Sequence, residues 1–340
     1  MSYKRFDTED VVVSAESVTT PLWSGDVTTL TSFFTSSTQI GGTSADYYYD
    51  IYQTGSTIEG ARVQFSVAYA DEKGSGSLLY NSAVDGKSPS STIYGQYRNL
   101  VLGDEDSDFT FGTQTAEHFY VINIDRARYK EKLLPATLDL VLHVSSSGAM
   151  LRLTDNSKAI STATFADAGR VYEIVSGSLG TVYTGVNTTG YSKNNGSYGK
   201  LLPDVGIILL NGAALDASTS NGGLALNTNR NSDVVGNNNQ KIFNVLKDGS
   251  NFRIQSEETI TSNFVFVRAR NSEFNYSTNP SLITGSGEIR HNVMVNSPQS
   301  YITAVGLYND NNDLLAVAKL SRPLLKDFTK ESLVRIKLDY

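Results

Sequence analysis

The C-terminal part of the chain carries the clearest constraint on the fold, because a strand pattern persists there to the last residue. Residues 300–320 contain two apolar segments on either side of the polar run Asn309–Asp313, which predicts two strands joined by a turn. Val334–Tyr340 then alternates apolar with charged residues, a period typical of a strand with one buried face. We therefore expect the C-terminus to be built into a sheet, through pairing with its own chain or with a neighbouring copy.

Strand patterns recur through the rest of the chain. Several segments combine aromatic and β-branched residues with a period near two and are bounded by Gly, Ser or Asp, which predicts strands. They are Tyr47–Gln53, Val63–Tyr69, Phe119–Ile124, Leu138–Val144, Met150–Leu153 and Gly169–Val175. Leu138–Val144 and Met150–Leu153 flank a Ser-Ser-Ser-Gly turn and predict a hairpin. Helix signals are few, and one short helix is predicted near residues 237–247, just before Asp248-Gly249.

The predicted fold class is mainly β with few short helices, in antiparallel sheets or sandwich-like units with long loops rich in Asn, Gly, Ser and Thr. Three regions are predicted: an acidic β-rich region over 1–115, a central β-rich domain over 116–270, and a C-terminal β region over 271–340 that ends in a strand. Residues 177–240 are rich in Asn, Gly, Ser and Thr, apart from the run Val205–Leu210, and are predicted to be loop-rich.

Composition and charge exclude several kinds of chemistry. The absence of cysteine excludes disulfides, thiolate nucleophiles and cysteine metal sites. The net charge is -7, with fifteen acidic against six basic residues in 1–110 but six basic against three acidic in 314–340. This asymmetry disfavours nucleic acid or an anionic membrane as a partner of the N-terminal part, and neither is expected as a partner of the chain. It would suit copies that stack acidic face on basic face, although a charged surface that maintains solubility is the simpler account. The acidic N-terminus predicts no secretory signal.

The sequence assigns no catalytic, cofactor-binding or metal-binding residue. His118, His143 and His291 lie far apart in the sequence, and a structural zinc site needs four close donors. Each histidine is therefore expected to be a packing or surface residue, and no cofactor is expected.

One acidic segment begins in the way that a calcium-binding loop does. Asp104, Asp106 and Asp108 stand at alternate positions, as such a loop begins. Phe109 and Thr115 occupy the positions where the loop requires Gly and a bidentate Glu. We therefore expect a solvated acidic turn.

Tyrosine is unusually frequent, with nineteen Tyr against one Trp. Tyr side chains provide flat, amphipathic surfaces that suit glycan stacking or protein interfaces. Tyr is also enriched in ordinary strands, so both interpretations stay open.

Long stretches of the last two thirds of the chain carry a family resemblance. They are Phe119–Pro135, Leu151–Asn156, Gly169–Ser178, and the tail from Asn271 through Tyr301–Tyr308 to Ala316–Pro323. Together these stretches, within residues 115 to 340, resemble virion structural proteins of large contractile-tailed bacteriophages. The resemblance implies a non-enzymatic part of the tail or baseplate, built in several copies, with a neck or capsid-associated position as the second choice. Its implied partners are copies of itself and other virion proteins, assembled in the host bacterial cytoplasm.

Two other functions stay open from the sequence. A host-surface binding module of a tail fibre would use Tyr and Asn side chains to hold glycans. A polysaccharide-degrading tail enzyme would need a pair of Asp or Glu side chains in a groove. The enzyme ranks last because no carboxylate pair stands out.

Overall fold

The computed structural model of the chain describes residues 4–23, 34–36, 48–52, 57–77, 80, 83, 88–183, 191–192, 196–230, 237–249, 251–277 and 279–339. The chain divides into two compact units. Unit 1 comprises Met1–Ser17 and Thr259–Tyr340, and unit 2 comprises Val18–Glu258. Unit 1 thus combines the two ends of the chain. The three consecutive regions expected from the sequence, 1–115, 116–270 and 271–340, stay predictions.

The chain is mainly β, as predicted, with 48% of the described residues in strands and 16% helical. The strands are β1 (Val11–Pro21), β2 (Phe34–Ser36), β3 (Tyr48–Tyr52), β4 (Val63–Asp71), β5 (Thr110–Phe111), β6 (Gln114–Thr115), β7 (His118–Ile124), β8 (Lys132–Val144), β9 (Ala149–Asp155), β10 (Thr164–Ala166), β11 (Gly169–Ser178), β12 (Thr181–Val182), β13 (Tyr191–Ser192), β14 (Gly196–Ser197), β15 (Gly199–Leu202), β16 (Ile207–Asn211), β17 (Asn251–Ala269), β18 (Gln299–Tyr308), β19 (Leu314–Asp327) and β20 (Ser332–Asp339). The helices are α1 (Pro89–Leu102), α2 (Gly212–Asp216), α3 (Asn237–Gly249) and α4 (Val293–Asn296). Short 3₁₀ turns lie at Thr8–Asp10, Arg126–Arg128 and Thr219–Asn221.

The strand predictions are confirmed one by one. The six segments singled out for their period correspond to β3, β4, β7, β8, β9 and β11. The predicted hairpin is formed by β8 and β9, which are antiparallel with Leu140 opposite Leu153. The helix expected near 237–247 is α3, and its buried residues include Ile242, Phe243 and Leu246.

The predicted loop-rich stretch contains more regular structure than its composition indicates. Five short strands, β12 to β16, and helix α2 lie within residues 177–240. Strand β15 offers only Leu201 and Leu202 as apolar residues, too few to produce a detectable period. Residues 184–190, 193–195 and 231–236 of this stretch lie outside the described part of the chain.

Unit 2 is organised around an antiparallel sheet. From one side to the other, the strand order is β17, β8, β9, β11, β15, β16, β7, β4, β3, β2. The central strands are buried on both faces: every residue of β16 is buried, and six of the seven residues of β7 are. Strands buried on both faces have continuous apolar runs, which explains why Val205–Leu210 stands out in an otherwise polar stretch.

Alternation along the strands divides the core of unit 2 into two layers. Val67, Ile122 and Ile208 are cross-strand neighbours on one face, where α3 covers the larger cluster with Ile242 and Phe243. The neighbouring register positions, the apolar residues Ala68, Val121 and Leu209, belong to the cluster on the other face. That second cluster includes residues of α1.

Helix α1, like strands β1 and β17, is a long element that the sequence patterns do not indicate. Its buried residues are Ser90, Ser91, Tyr94 and Val101, so serines take positions where a helix pattern normally shows apolar residues. The helix begins with Pro89 and ends at Gly103, whose φ of 67° is left-handed. A Cβ at Gly103 would lie 2.0 Å from the carboxylate of the exposed Asp167, so a larger residue there would displace that side chain.

An ion pair between the buried Asp139 and the exposed Arg152 joins strands β8 and β9. Arg152 donates two hydrogen bonds of 2.6 Å to the two carboxylate oxygens of Asp139, and Asn251 donates a third of 2.8 Å. Burial raises the pKa of Asp139, but the hydrogen bonds from Arg152 and Asn251 outweigh burial, so the pKa lies below its ordinary value. A buried carboxylate with this set of donors stabilises the fold only while it is ionised.

We expect Asp139→Asn to weaken unit 2 at neutral pH and to flatten its acid unfolding. The unfolded pKa is about 3.9 and the folded pKa is lower, so the ionised pair stabilises the fold above that value and loses the effect as the pH falls through the folded pKa. Losing charge-assisted bonds costs about 2 kcal/mol. Urea unfolding at pH 7 and pH 3 would measure both effects. Glu105→Gln changes an exposed carboxylate and is the control. An unchanged acid dependence in Asp139→Asn would contradict the role of the pair.

Unit 1 is built on the second half of β17. Strand β20 pairs antiparallel with it over eight consecutive positions, from Ser262 opposite Asp339 to Ala269 opposite Ser332. The C-terminal strand therefore pairs with its own chain. The two strands predicted around the polar turn at Asn309–Asp313 are β18 and β19, which form an antiparallel hairpin.

Candidate functional site

The histidines do not converge on a site within the described residues. His118 is buried in β7, and its Nε2 lies 3.1 Å from the Asp216 carboxylate. The other carboxylate oxygen of Asp216 accepts hydrogen bonds from the backbone N–H and the hydroxyl of Thr228. Burial raises the pKa of Asp216, but the hydrogen bonds from His118 and Thr228 outweigh it and keep the pKa below its ordinary value. His143 lies on β8, whereas His291 is exposed.

A second polar cluster lies at the end of β4, and sequence patterns do not indicate it. Asp71 is fully buried; one oxygen accepts bonds from the backbone N–H groups of Lys73 and Ser75, and the other from Tyr69 and Arg230. Arg230 also contacts Glu117 at 2.7 Å. Because four donors already occupy the Asp71 carboxylate, it has little capacity left for a substrate or a metal ion. The cluster attaches the segment around Arg230 to the sheet. The residues of the cluster lie too far apart in the sequence to form a recognisable motif.

The acidic turn at residues 104–108 satisfies its own carboxylate. Asp104 accepts hydrogen bonds from the backbone N–H of Asp106 and from the hydroxyl of Ser107, and these bonds lower the pKa of Asp104. In the described residues, no group of three or more His, Asp or Glu side chains is placed to hold a metal ion.

The most unusual surface of the molecule belongs to unit 1. Fifteen of the twenty-one exposed large apolar side chains in the described part of the chain lie in this unit, but only four of the fifty-two buried ones do. Its core consists of Val265, Leu307 and Ile336, with partly buried neighbours. Unit 1 thus has many more exposed large apolar side chains than buried ones, which is unusual for a soluble monomer.

The hairpin of β18 and β19 has one face towards this small core and one face outwards. Val305 lies opposite Ala318, and Leu307 opposite Ala316, and these residues belong to the core cluster together with Val265. Val317 of β19 points the other way because side chains alternate along a strand. The register shifts between Leu307 and Tyr308, where Tyr308 lies opposite Leu314, so Leu314 and Leu315 do not follow the simple alternation. Both hairpin faces therefore carry apolar side chains.

Four residues at the tip of the hairpin form its outward apolar face, which we call the hairpin surface. They are Tyr308, Leu314, Leu315 and Val317, exposed by 37%, 53%, 69% and 59%. Gly306 lies opposite Val317, and a Cβ at Gly306 would lie 2.8 Å from the Tyr308 ring and 3.3 Å from Leu314. The Tyr308 ring thus lies over the glycine and beside Leu314, which makes the face continuous. Sequence alternation could have indicated Val317 on this face, but not the exposure of the four residues.

A buried lysine holds the base of the hairpin. Lys326 is fully buried, and its Nζ donates to the backbone oxygens of Asn271 and Asp327 and to Oδ1 of Asn275. The Asn275 amide donates in turn to the Asn271 oxygen at 2.7 Å. Because a buried ammonium group is costly without partners, these bonds fix the hairpin to the loop that follows β17. The hairpin surface is therefore presented on an anchored element.

Strand β1 adds a second surface of the same kind. Each of its residues is exposed, including the run Val11–Val13, and it is the terminal strand of its sheet beside β17. An exposed apolar edge strand is a ready partner for another strand. Glu16 of β1 contacts Lys337 of β20 at 3.5 Å, and Arg335 lies 5.2 Å from the Phe264 ring.

No helix in the described part of the chain has the length and apolarity required to cross a membrane. Comparison of the chain with protein-family models, with curated proteins and with solved structures finds no match to any of them. The hairpin surface and β1 are the features of unit 1 from which a function can be argued.

Proposed function

We propose that this protein is a non-enzymatic structural component of a phage virion, in the tail or baseplate, and that it acts by oligomeric assembly. One observation carries the proposal: unit 1 has a core of three buried residues beneath an outer layer of exposed Val, Leu and Tyr side chains. Such an arrangement is expected of a subunit whose core is completed by its neighbours.

The free energy available from this surface is adequate for assembly. Burying a large aliphatic side chain contributes about 2 kcal/mol, so the four residues of the hairpin surface would contribute several kcal/mol at each contact. In a ring or tube the same contact is repeated by every copy. A weak contact between two copies therefore becomes stable in a closed assembly.

The partners that fit this surface are copies of the same chain and other virion proteins. The tail or baseplate position is supported by the sequence resemblance to proteins of contractile-tailed phages, and a neck or capsid-associated position is the alternative. The host cytoplasm is a reducing compartment, and a chain without cysteine needs no oxidation to assemble there.

Two measurements test the proposal. Sedimentation of the purified full chain over a range of concentrations is expected to show reversible association, because the exposed apolar area favours it. Mass spectrometry of separated tail, neck and head fractions from phage particles is expected to find the chain in the tail fraction. A strictly monomeric chain that is absent from particles would overturn the proposal, and its presence in the neck or head fraction would select the alternative.

A further inference from the structure

A groove of about 610 Å³ lies on one face of unit 2, far in sequence from the hairpin surface. It runs between the second half of α1 and strands β3, β4, β7 and β16. Its volume is within the range of about 300 to 1,000 Å³ that small-ligand sites occupy. Helix α1 covers the neighbouring part of the same sheet face, where the Tyr94 and Phe119 ring centroids lie 5.2 Å apart.

The floor of the groove is a polar row across the sheet. Ser66 on β4 lies opposite Asn123 on β7 and opposite Asp50 on β3. The Ser66 hydroxyl donates a hydrogen bond of 2.6 Å to the Asp50 carboxylate. Asn123 is exposed although it lies on a central strand whose other residues are buried. An exposed amide at the centre of a sheet is accessible to a ligand.

The wall of the groove is one side of α1. Ile93, Tyr97 and Leu100 are spaced at helical intervals and face the groove, and Gln96 and Asn99 stand beside them. Burial raises the pKa of Tyr97 to about 12, so its hydroxyl is a neutral donor at every physiological pH. Across the groove, Tyr48 provides a second aromatic ring.

The lining defines the chemistry of the ligand. Among the described residues, those that line the groove include no charged side chain, and the Asp50 carboxylate that is bonded to Ser66 beside the floor is acidic. A nucleotide, a nucleic acid or another strongly anionic ligand would therefore lack a counter-charge. Amides and hydroxyls alternate with the rings, which disfavours a purely apolar ligand. The side chains of Gln96, Tyr97, Asn99 and Asn123 make no hydrogen bond to any residue in the described part of the chain, so their donors and acceptors are available.

We propose that this groove binds a neutral carbohydrate, with the pyranose faces against Tyr48 and Tyr97 and the hydroxyls on Gln96, Asn99 and Asn123. Aromatic rings present the apolar contact that the C–H face of a sugar requires. Amides both donate and accept, as sugar hydroxyls do. This inference does not depend on the proposed assembly function, because it rests on unit 2 and can hold for a monomer.

Binding to the purified full chain tests the inference. The probes are maltotriose, cellotriose, triacetylchitotriose and mannotriose, with N-acetylneuraminic acid as an anionic comparison, and binding is measured by saturation-transfer NMR and calorimetry. At least one neutral trisaccharide is expected to bind, and Tyr97→Ala and Asn123→Ala are each expected to weaken it by about tenfold, which corresponds to about 1.4 kcal/mol. Tyr301→Ala removes an exposed ring of unit 1 and is expected to leave binding unchanged.

Tyr97→Phe keeps the ring and removes only the hydroxyl, so it tests the site even if Tyr97→Ala fails to fold. It is expected to weaken binding less than Tyr97→Ala does. Three results would overturn the inference: no binding of any neutral trisaccharide, equal binding by the groove variants, or preferential binding of the anionic sugar.

Discussion

Replacing Leu315 and Val317 together by Asp is expected to abolish self-association of the full chain and to leave its fold intact. Both side chains are more than half exposed, so the carboxylates remain hydrated in the monomer and cost little there. In an assembled contact the same carboxylates would be buried without partners, which costs several kcal/mol at each contact. Sedimentation at the concentrations where the wild-type chain associates would measure the loss.

A matched control is available on unit 2. Met150 and Phe165 are 69% and 72% exposed, and their joint replacement by Asp adds the same charge without touching the hairpin surface. We expect this control to associate as the wild-type chain does. Equal association of both double variants would show that the hairpin surface is not the contact, whereas equal loss in both would indicate a general effect of charge.

Deletion of residues 332–340 is expected to unfold unit 1 while unit 2 keeps its structure. The deletion removes β20, which pairs with β17 over eight consecutive positions. It also removes Ile336, one of the three buried residues of the core, together with the partly buried Val334. A unit with a core of this size cannot lose a third of its buried core residues and remain folded. Unit 2 retains its own much larger core.

Hydrogen exchange would follow this deletion residue by residue. Amides of β18 and β19 are expected to lose protection, and those of β7 are expected to keep it. Point variants of β20 separate packing from strand pairing: Ile336→Ala, which empties a buried position, is expected to cost about 3 kcal/mol. Leu333→Ala changes a side chain that is 63% exposed and is expected to cost about 0.5 kcal/mol or less. Unchanged protection of the hairpin in the truncated chain would contradict the role of β20.

Local patterns predicted the strands well because their period is a property of consecutive residues. In β20, Ser332, Val334, Ile336 and Leu338 lie inwards, and the residues between them are exposed, which is the alternation that the sequence shows. Strands β4, β7 and β11 could be predicted in the same way, since each segment combines β-branched or aromatic residues with polar boundaries. Helix α3 could be predicted because its apolar residues recur at helical spacing before Asp248-Gly249.

Helix α1 and the candidate surfaces could not be predicted in the same way. The buried face of α1 contains Ser90 and Ser91, whose hydroxyls hydrogen-bond to residues of the preceding segment, so burial there is not marked by apolar residues. The pairing of Asp71 with Arg230 joins residues 159 apart. The groove combines residues of α1 with residues of four strands. Each of these features depends on contacts between distant parts of the chain.

The C-terminal strand shows which features the sequence alone determines and which depend on the tertiary structure. Alternation alone predicts that Val334–Tyr340 is a strand with one buried face, because the period of two follows from backbone geometry within the segment. The structure describes this strand as far as Asp339. Alternation leaves open which strand is the partner. The fold pairs β20 with β17 of the same chain, and it leaves the hairpin surface exposed. Partner and exposure depend on which apolar faces meet in three dimensions, and no local period encodes that choice.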